Sequence, residues 1–132
     1  MSPSLATIGL VALCGGVGSV VRLLVATGVR NAAGEPYLLG TLVVNLIGCF
    51  LFGVAWGFAS GNWSNAMQAA VFTGFFGGFT TFSSFSLQTL TLLREREWLY
   101  AGGNVLLSVA LCLLATWLGY LLGTAFNSVR GS

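Results

Sequence analysis

The sequence predicts an all-α integral membrane protein of four transmembrane helices, the third of them broken near Gly77 and Gly78. Three observations predict it. Of the 132 residues only 6% are charged and 56% are hydrophobic, whereas a soluble domain carries roughly a quarter charged residues. Four long apolar stretches, at 5–29, 38–59, 66–93 and 101–126, can each supply the about 20 residues that cross a ~30 Å hydrocarbon core as a helix. The connections between them are short, so residues 1–132 read as a single four-helix transmembrane domain.

The first stretch is crossed by Arg22 and runs on to Val29. No Lys or Arg precedes Leu5, which sets it apart from a secretory signal with its basic leading segment. The second carries Asn45 mid-way along "GTLVVNLIGCFLFG". An amide is costly to leave unpaired in lipid, so Asn45 either bonds a neighbouring helix or faces an ion path. Glycines four apart, Gly53 with Gly57, Gly74 with Gly78 and Gly119 with Gly123, mark close helix contacts. Cys14, Cys49 and Cys112 all fall inside apolar stretches, without a C-x-x-C pair or any histidine. They read as small packing residues, with no metal site or redox framework expected.

The third stretch is the unusual one. Its 28 residues would reach ~42 Å as one straight helix at 1.5 Å per residue, longer than the hydrocarbon. A break near Gly77 and Gly78 absorbs the excess. Broken helices survive at membrane depth where protein or water satisfies the freed backbone, and freed carbonyls can bind a cation. Thr80, Thr81, Ser83, Ser84 and Ser86 place hydroxyls beside the break. Phe82 and Phe85, three apart, share a helix face, with Phe79 on or near it. Such rings either pack a core or turn their positive edges towards an anion. Ring edges with hydroxyl and amide donors suit a small anion that must bind and still leave.

Charge limits the chemistry further. There is no His, Lys or Asp, and Glu35, Glu95 and Glu97 all sit in connections. A span without a carboxylate lacks the usual proton relay, and the chain lacks the usual acid–base and metal-ligand sets of enzymes. An enzyme is not expected. Tyr37, Trp63, Trp98 and Tyr100 lie at stretch ends, where amphipathic rings favour the headgroup region. Arg22, Arg30, Arg94 and Arg96 against Arg130 lean the first and third connections towards the cytoplasm.

"GFFGGFTTFSSFS", residues 74–86, resembles the third-helix signature of the Fluc (CrcB) fluoride-channel family, G-G-x-T-T-F-S-T-F-S. "GTLVVNLIGCFLFG" is similar to that family's second helix, G-T-L-x-x-N-x-x-G-x-F, "GVGSVVR" to its first and "SVALCLLATWLGYLLG" to its fourth. The resemblance implies passive fluoride export and fluoride resistance across a bacterial inner membrane, with no nucleic-acid partner. It implies an antiparallel dual-topology homodimer with two pores and a central structural sodium ion. Carried over by position, the sodium ligands are the backbone carbonyls of Gly77 and Thr80. Phe82 and Phe85 line the pore, Asn45 is its amide, and Ser83 and Ser84 are nearby donors. Thr41 and Ser108 belong to a polar track, and Arg22 to a pore mouth.

This chain departs from the family pattern at Cys14, Leu23, Gln88 and Asn104, where the family more often has Gly, Tyr, Glu and Tyr. Two other classes compete with the channel. A small four-helix antiporter needs a membrane carboxylate, which is missing. A membrane assembly subunit explains the glycines and Asn45 as packing but leaves the Phe82–Phe85 spacing beside the break unexplained.

Overall fold

The computed structural model describes residues 2–34, 37–59 and 61–131, Tyr37 by its backbone alone. The interfacial placement expected of the Tyr37 ring, and Glu35 and Pro36 of the first connection, lie outside the described residues. Every regular element described is a helix. Helix α1 (Leu5–Ala33) starts at Ser4, whose Oγ accepts the Thr7 N–H at 3.2 Å. It stops at Gly34, in the left-handed region at φ 63°, whose N–H closes on Arg30 O. Helix α2 (Tyr37–Ala59) follows, and α6 (Trp98–Arg130) ends the chain. Both α1 and α6 run beyond the apolar stretches that predict them. Their polar ends go on making helix after the hydrophobic run has stopped, with Arg30 and Arg130 in last turns that favour cations. α1, α2 and α6 are each long and apolar enough to cross a membrane. The protein is an integral membrane protein.

The third apolar stretch is built in pieces. Ser64 caps the short α3 (Asn65–Gln68) by accepting the Met67 N–H at 3.2 Å. A π-helical stretch, Ala69–Phe76, and then α4 (Gly77–Phe79) continue the same rod. Thr80 and Thr81 are extended, at φ/ψ −79°/156° and −146°/107°, and α5 (Phe82–Arg94) restarts the helix. The break therefore falls at Thr80–Thr81, and not at the Gly77–Gly78 pair expected to carry it. Gly77 keeps helical angles, φ −62° and ψ −35°. Gly78 is used for contact: a Cβ there would strike the Gly15 carbonyl oxygen of α1, just as one on Gly18 would strike that of Phe75. β-branched threonines accept the extended backbone that the break needs.

The break also corrects the phase of the phenylalanines. Phe79, expected near the Phe82–Phe85 face, is buried and stacks on Phe75 with centroids 5.9 Å apart. Two extended residues reset the helical register, so spacing before the break says nothing of the face after it. Trp63, in the second connection, stacks on Phe72 at 5.9 Å, and Trp98 and Tyr100 are exposed at the start of α6.

Contacts fix the topology. Ala26 meets Gly40, so α1 and α2 are antiparallel, and Asn104 meets Thr89, so α5 and α6 are too. Helix α1 and the 65–79 rod run parallel, as do α2 and α6. The α2–α6 seam is a double row of small residues: a Cβ on Gly53 would strike Thr116 O, and one on Gly119 would strike Phe50 O. Gly57 and Gly123 repeat the contact a turn later. The bundle is thus up-down-up-down, with the broken segment held between α1 and α2.

Candidate functional site

The site grows out of the break. In a continuous helix the Thr81 N–H would donate to Gly77 O, four residues back. Here it donates to Asn45 Oδ1 of α2 at 2.8 Å, and Asn45 Nδ2 donates back to Thr81 O at 3.1 Å. The amide of Asn45 thereby replaces the helical partner on both sides of one residue. Thr81 then caps α5: its Oγ1 accepts the Ser84 N–H at 3.2 Å and donates to Ser84 Oγ at 3.0 Å. Upstream, Thr80 closes the preceding turn, its N–H and hydroxyl donating to Phe76 O at 2.9 and 2.8 Å.

Carbonyls are released on one side of the break and N–H groups on the other. Gly78 O accepts from Ser19 Oγ and Thr80 O from Arg22 Nη1, each at 3.5 Å, long contacts that leave lone pairs over. Gly77, whose helical donor Asn45 has taken, is exposed. On the α5 side the first-turn N–H groups of Phe82 and Ser83 have no helical acceptor, which makes this helix start locally positive.

Two grooves flank Thr81, which lines both. The first, about 240 Å³, gathers Asn45, Phe82, Phe85 and Ser108 with Cys49 and Cys112. The Phe82 and Phe85 rings are tilted by 48° with centroids 5.3 Å apart, and Phe82 is 77% exposed. One N–H of Asn45 goes to Thr81 O, which leaves the second over. No formal charge lines it. The second groove, about 420 Å³, holds Arg22 and Arg30 of α1 with Thr41 of α2 and Ser84 of α5.

The predicted site residues are therefore divided. Asn45, Phe82, Phe85, Ser108 and Thr80 share the first groove, while Arg22, Thr41 and Ser84 share the second. Ser83 lines neither; it is exposed and lies 3.3 Å from Thr81 Oγ1. Gly77 and Thr80 stand at the break with the carbonyls that the helix no longer uses.

Four further residues take part that were not placed in the site from sequence, Gln88 and Asn104 having been named only as departures from the family pattern. Gln88, buried, donates to Thr41 Oγ1 across α5 and α2. Asn104 donates to Thr89 Oγ1 at 3.0 Å and lies 3.5 Å from Ser108 Oγ, tying the groove wall to α5. Neutral amides inside apolar stretches are the signal that could have marked both, as it marked Asn45. Cys49 and Cys112, read as packing residues, line the groove together. Their meeting depends on the parallel α2–α6 seam, which no local pattern shows.

Residues 9–120 match the family described as CrcB-like protein, Camphor Resistance (CrcB). Every side chain named in the first groove lies within that span. Among similar proteins, one from Opitutus terrae is 46% identical over 126 residues, covering 92% of this chain and 96% of its own length. One from Methylocella silvestris is 44% identical over 121 residues, covering 88% and 92%. A third, from Geobacter sulfurreducens, is 47% identical over 115 residues, covering 86% and 93%. Each is named a fluoride-specific ion channel, FluC. With the family match spanning all the elements that build the site, and such relatives aligned across nearly their whole length, the chain belongs to the CrcB family.

Proposed function

We propose that the chain is a fluoride-selective channel, a multi-pass protein of the bacterial cell membrane through which fluoride leaves passively. The observation that carries this reading is the first groove, where Asn45, Ser108, Phe82 and Phe85 meet with no charged residue among those that line it. Relatives that share this segment are named for the same ion. Fluoride entering such a path exchanges water for N–H and O–H donors and for the positive edges of aromatic rings. With no fixed cation in the groove, it binds without being trapped. The positive start of α5 adds a favourable field where Phe82 begins. Arg22 and Arg30 in the neighbouring groove act on approach, drawing anions to the opening. The spans offer no carboxylate, so nothing couples fluoride to protons, and no acid–base pair makes the protein an enzyme.

The working unit in this reading is an antiparallel, dual-topology homodimer with two pores. The two halves of the broken segment together make a fourth crossing. A central sodium ion completes the dimer, and the donor chemistry fits it: Gly77 O and Thr80 O are neutral, hard oxygens released by the break. One chain offers too few such oxygens for a cation, and a two-fold related copy doubles the set. Asn45 and Thr81 hold the backbone that presents the carbonyls, where a bound sodium would supply a fixed positive charge. Ser83, exposed beside the break, becomes a donor available to the path once the second copy is in place.

Efflux from liposomes containing the purified protein tests the channel. Fluoride is expected to run down its own gradient at an unchanged rate when the proton gradient is collapsed. Transport that stops on collapse would overturn the channel in favour of an antiporter.

A further inference from the structure

The first groove contains more than its anion donors require. Cys49 of α2 and Cys112 of α6 are free, half-buried thiols that line it from facing helices beside Asn45, Phe85 and Ser108. The glycine contacts of the α2–α6 seam begin about one turn further on and keep the two backbones close. We propose that this thiol pair is a two-ligand site for a soft, thiophilic cation of the Cu(I), Ag(I) or Hg(II) class, and that its occupancy obstructs the groove. The obstruction rests on the channel reading; the binding does not.

Ligand type and ligand number select the metal class. Thiolate sulfur favours soft cations. Among the described residues no group of three or more His, Cys, Asp or Glu gathers anywhere, so the site offers two donors. That excludes the closed four-ligand set of a structural zinc. Soft d¹⁰ cations accept two sulfurs. Binding displaces protons: each S–H bond breaks as an S–metal bond forms, both protons leave to water, and no electron moves. With Hg(II) the bis-thiolate product is neutral and acts by bulk. With Cu(I) or Ag(I) it carries one net negative charge, which also repels an anion. Cys14 supplies an internal comparison, because it packs on α1 against Gly74 and lines neither groove.

The probe is mercuric ion, added to the purified protein in detergent and to protein-containing liposomes loaded with fluoride. The expected result is sulfur-to-mercury charge-transfer absorption that survives in Cys14→Ser and is lost in both Cys49→Ser and Cys112→Ser. Efflux should slow roughly tenfold or more in the parent and in Cys14→Ser, because a filled constriction does not conduct. A dithiol chelator should restore it, and the double Cys49→Ser/Cys112→Ser variant should keep its own untreated rate. The alanine versions give the same reading where a serine variant fails to fold. Absorption that persists without Cys49 and Cys112, or that disappears with Cys14, overturns the site. Absorption at the pair with undiminished efflux overturns the obstruction. Protein that does not conduct before mercury is added sinks the channel reading instead, and the absorption still decides the site.

Discussion

Asn45 and Phe82 line the same groove, yet they differ in what else they hold. Phe82 is 77% exposed in the single chain, so Phe82→Ile gives up little packing. A swap of similar volume usually costs under ~1.5 kcal/mol, and fluoride flux is expected to fall while the fold survives. Asn45 is both donor and brace. Asn45→Leu removes both bonds to Thr81 and leaves a buried N–H and C=O unpaired, a loss of about 1–3 kcal/mol per group. Stability and flux should therefore fall together. Asn45→Asp keeps an acceptor for the Thr81 N–H, loses the donor to Thr81 O and repels anions when ionised. It should lie closer to the parent in thermal unfolding than the leucine variant, yet conduct as poorly. Unfolding in detergent and efflux per folded protein, measured together, check all three. An Asn45→Leu protein with parental stability would show that the Thr81 bonds do not hold the break. The choice between glue and pore lining, open from sequence, is answered for the first by the two bonds to Thr81, and the proposed pore role would use the N–H they leave over.

At the scale of elements, the glycines sort into those that touch a neighbour's backbone and those that do not. Gly119→Ala would drive a methyl into Phe50 O across the α2–α6 seam, whereas nothing lies within 4 Å of a Cβ on Gly9. Overpacking costs about 1–3 kcal/mol, while Gly→Ala in an open helix position gains roughly 0.5–1 kcal/mol. Gly119→Ala should lower the thermal midpoint and Gly9→Ala should hold or raise it; equal shifts would mean that the seam can relax. The same distinction explains what the sequence could not convey. A break in the third stretch was legible from its excess length and its cluster of hydroxyls. Its position was not, because Gly77 and Gly78 look like helix breakers but serve helix contact. The partner that opens the helix, Asn45, comes from α2. Phe79 fails for a related reason, since helical spacing carries across Phe82–Phe85 but not across two extended threonines. Arg22, Thr41 and Ser84 were legible as polar residues near the site, but which side of Thr81 they occupy depends on helix rotation.

For the whole molecule, the released carbonyls of Gly77 and Thr80 make the proposed sodium a determinant of assembly. Replacing sodium with a large organic cation should lower the dimer fraction on size-exclusion chromatography and reduce efflux, with both restored on adding sodium back. Dimers and flux indifferent to that exchange would remove the ion from the architecture. Composition was the most legible property at this scale, since a chain with 6% charged residues leaves a membrane as its natural solvent. The pairing of the first helix with the third segment and of the second helix with the last was not, because each pair joins segments separated by another in the chain.

That last pairing has a consequence in time. During synthesis, α2 emerges and enters the bilayer well before α6 exists, so Gly53 first meets lipid where Thr116 and Tyr120 will later sit. The tightest seam of the finished molecule is among the last to close. Until then Cys49 and Asn45 lie on a helix whose final neighbour is still to be made.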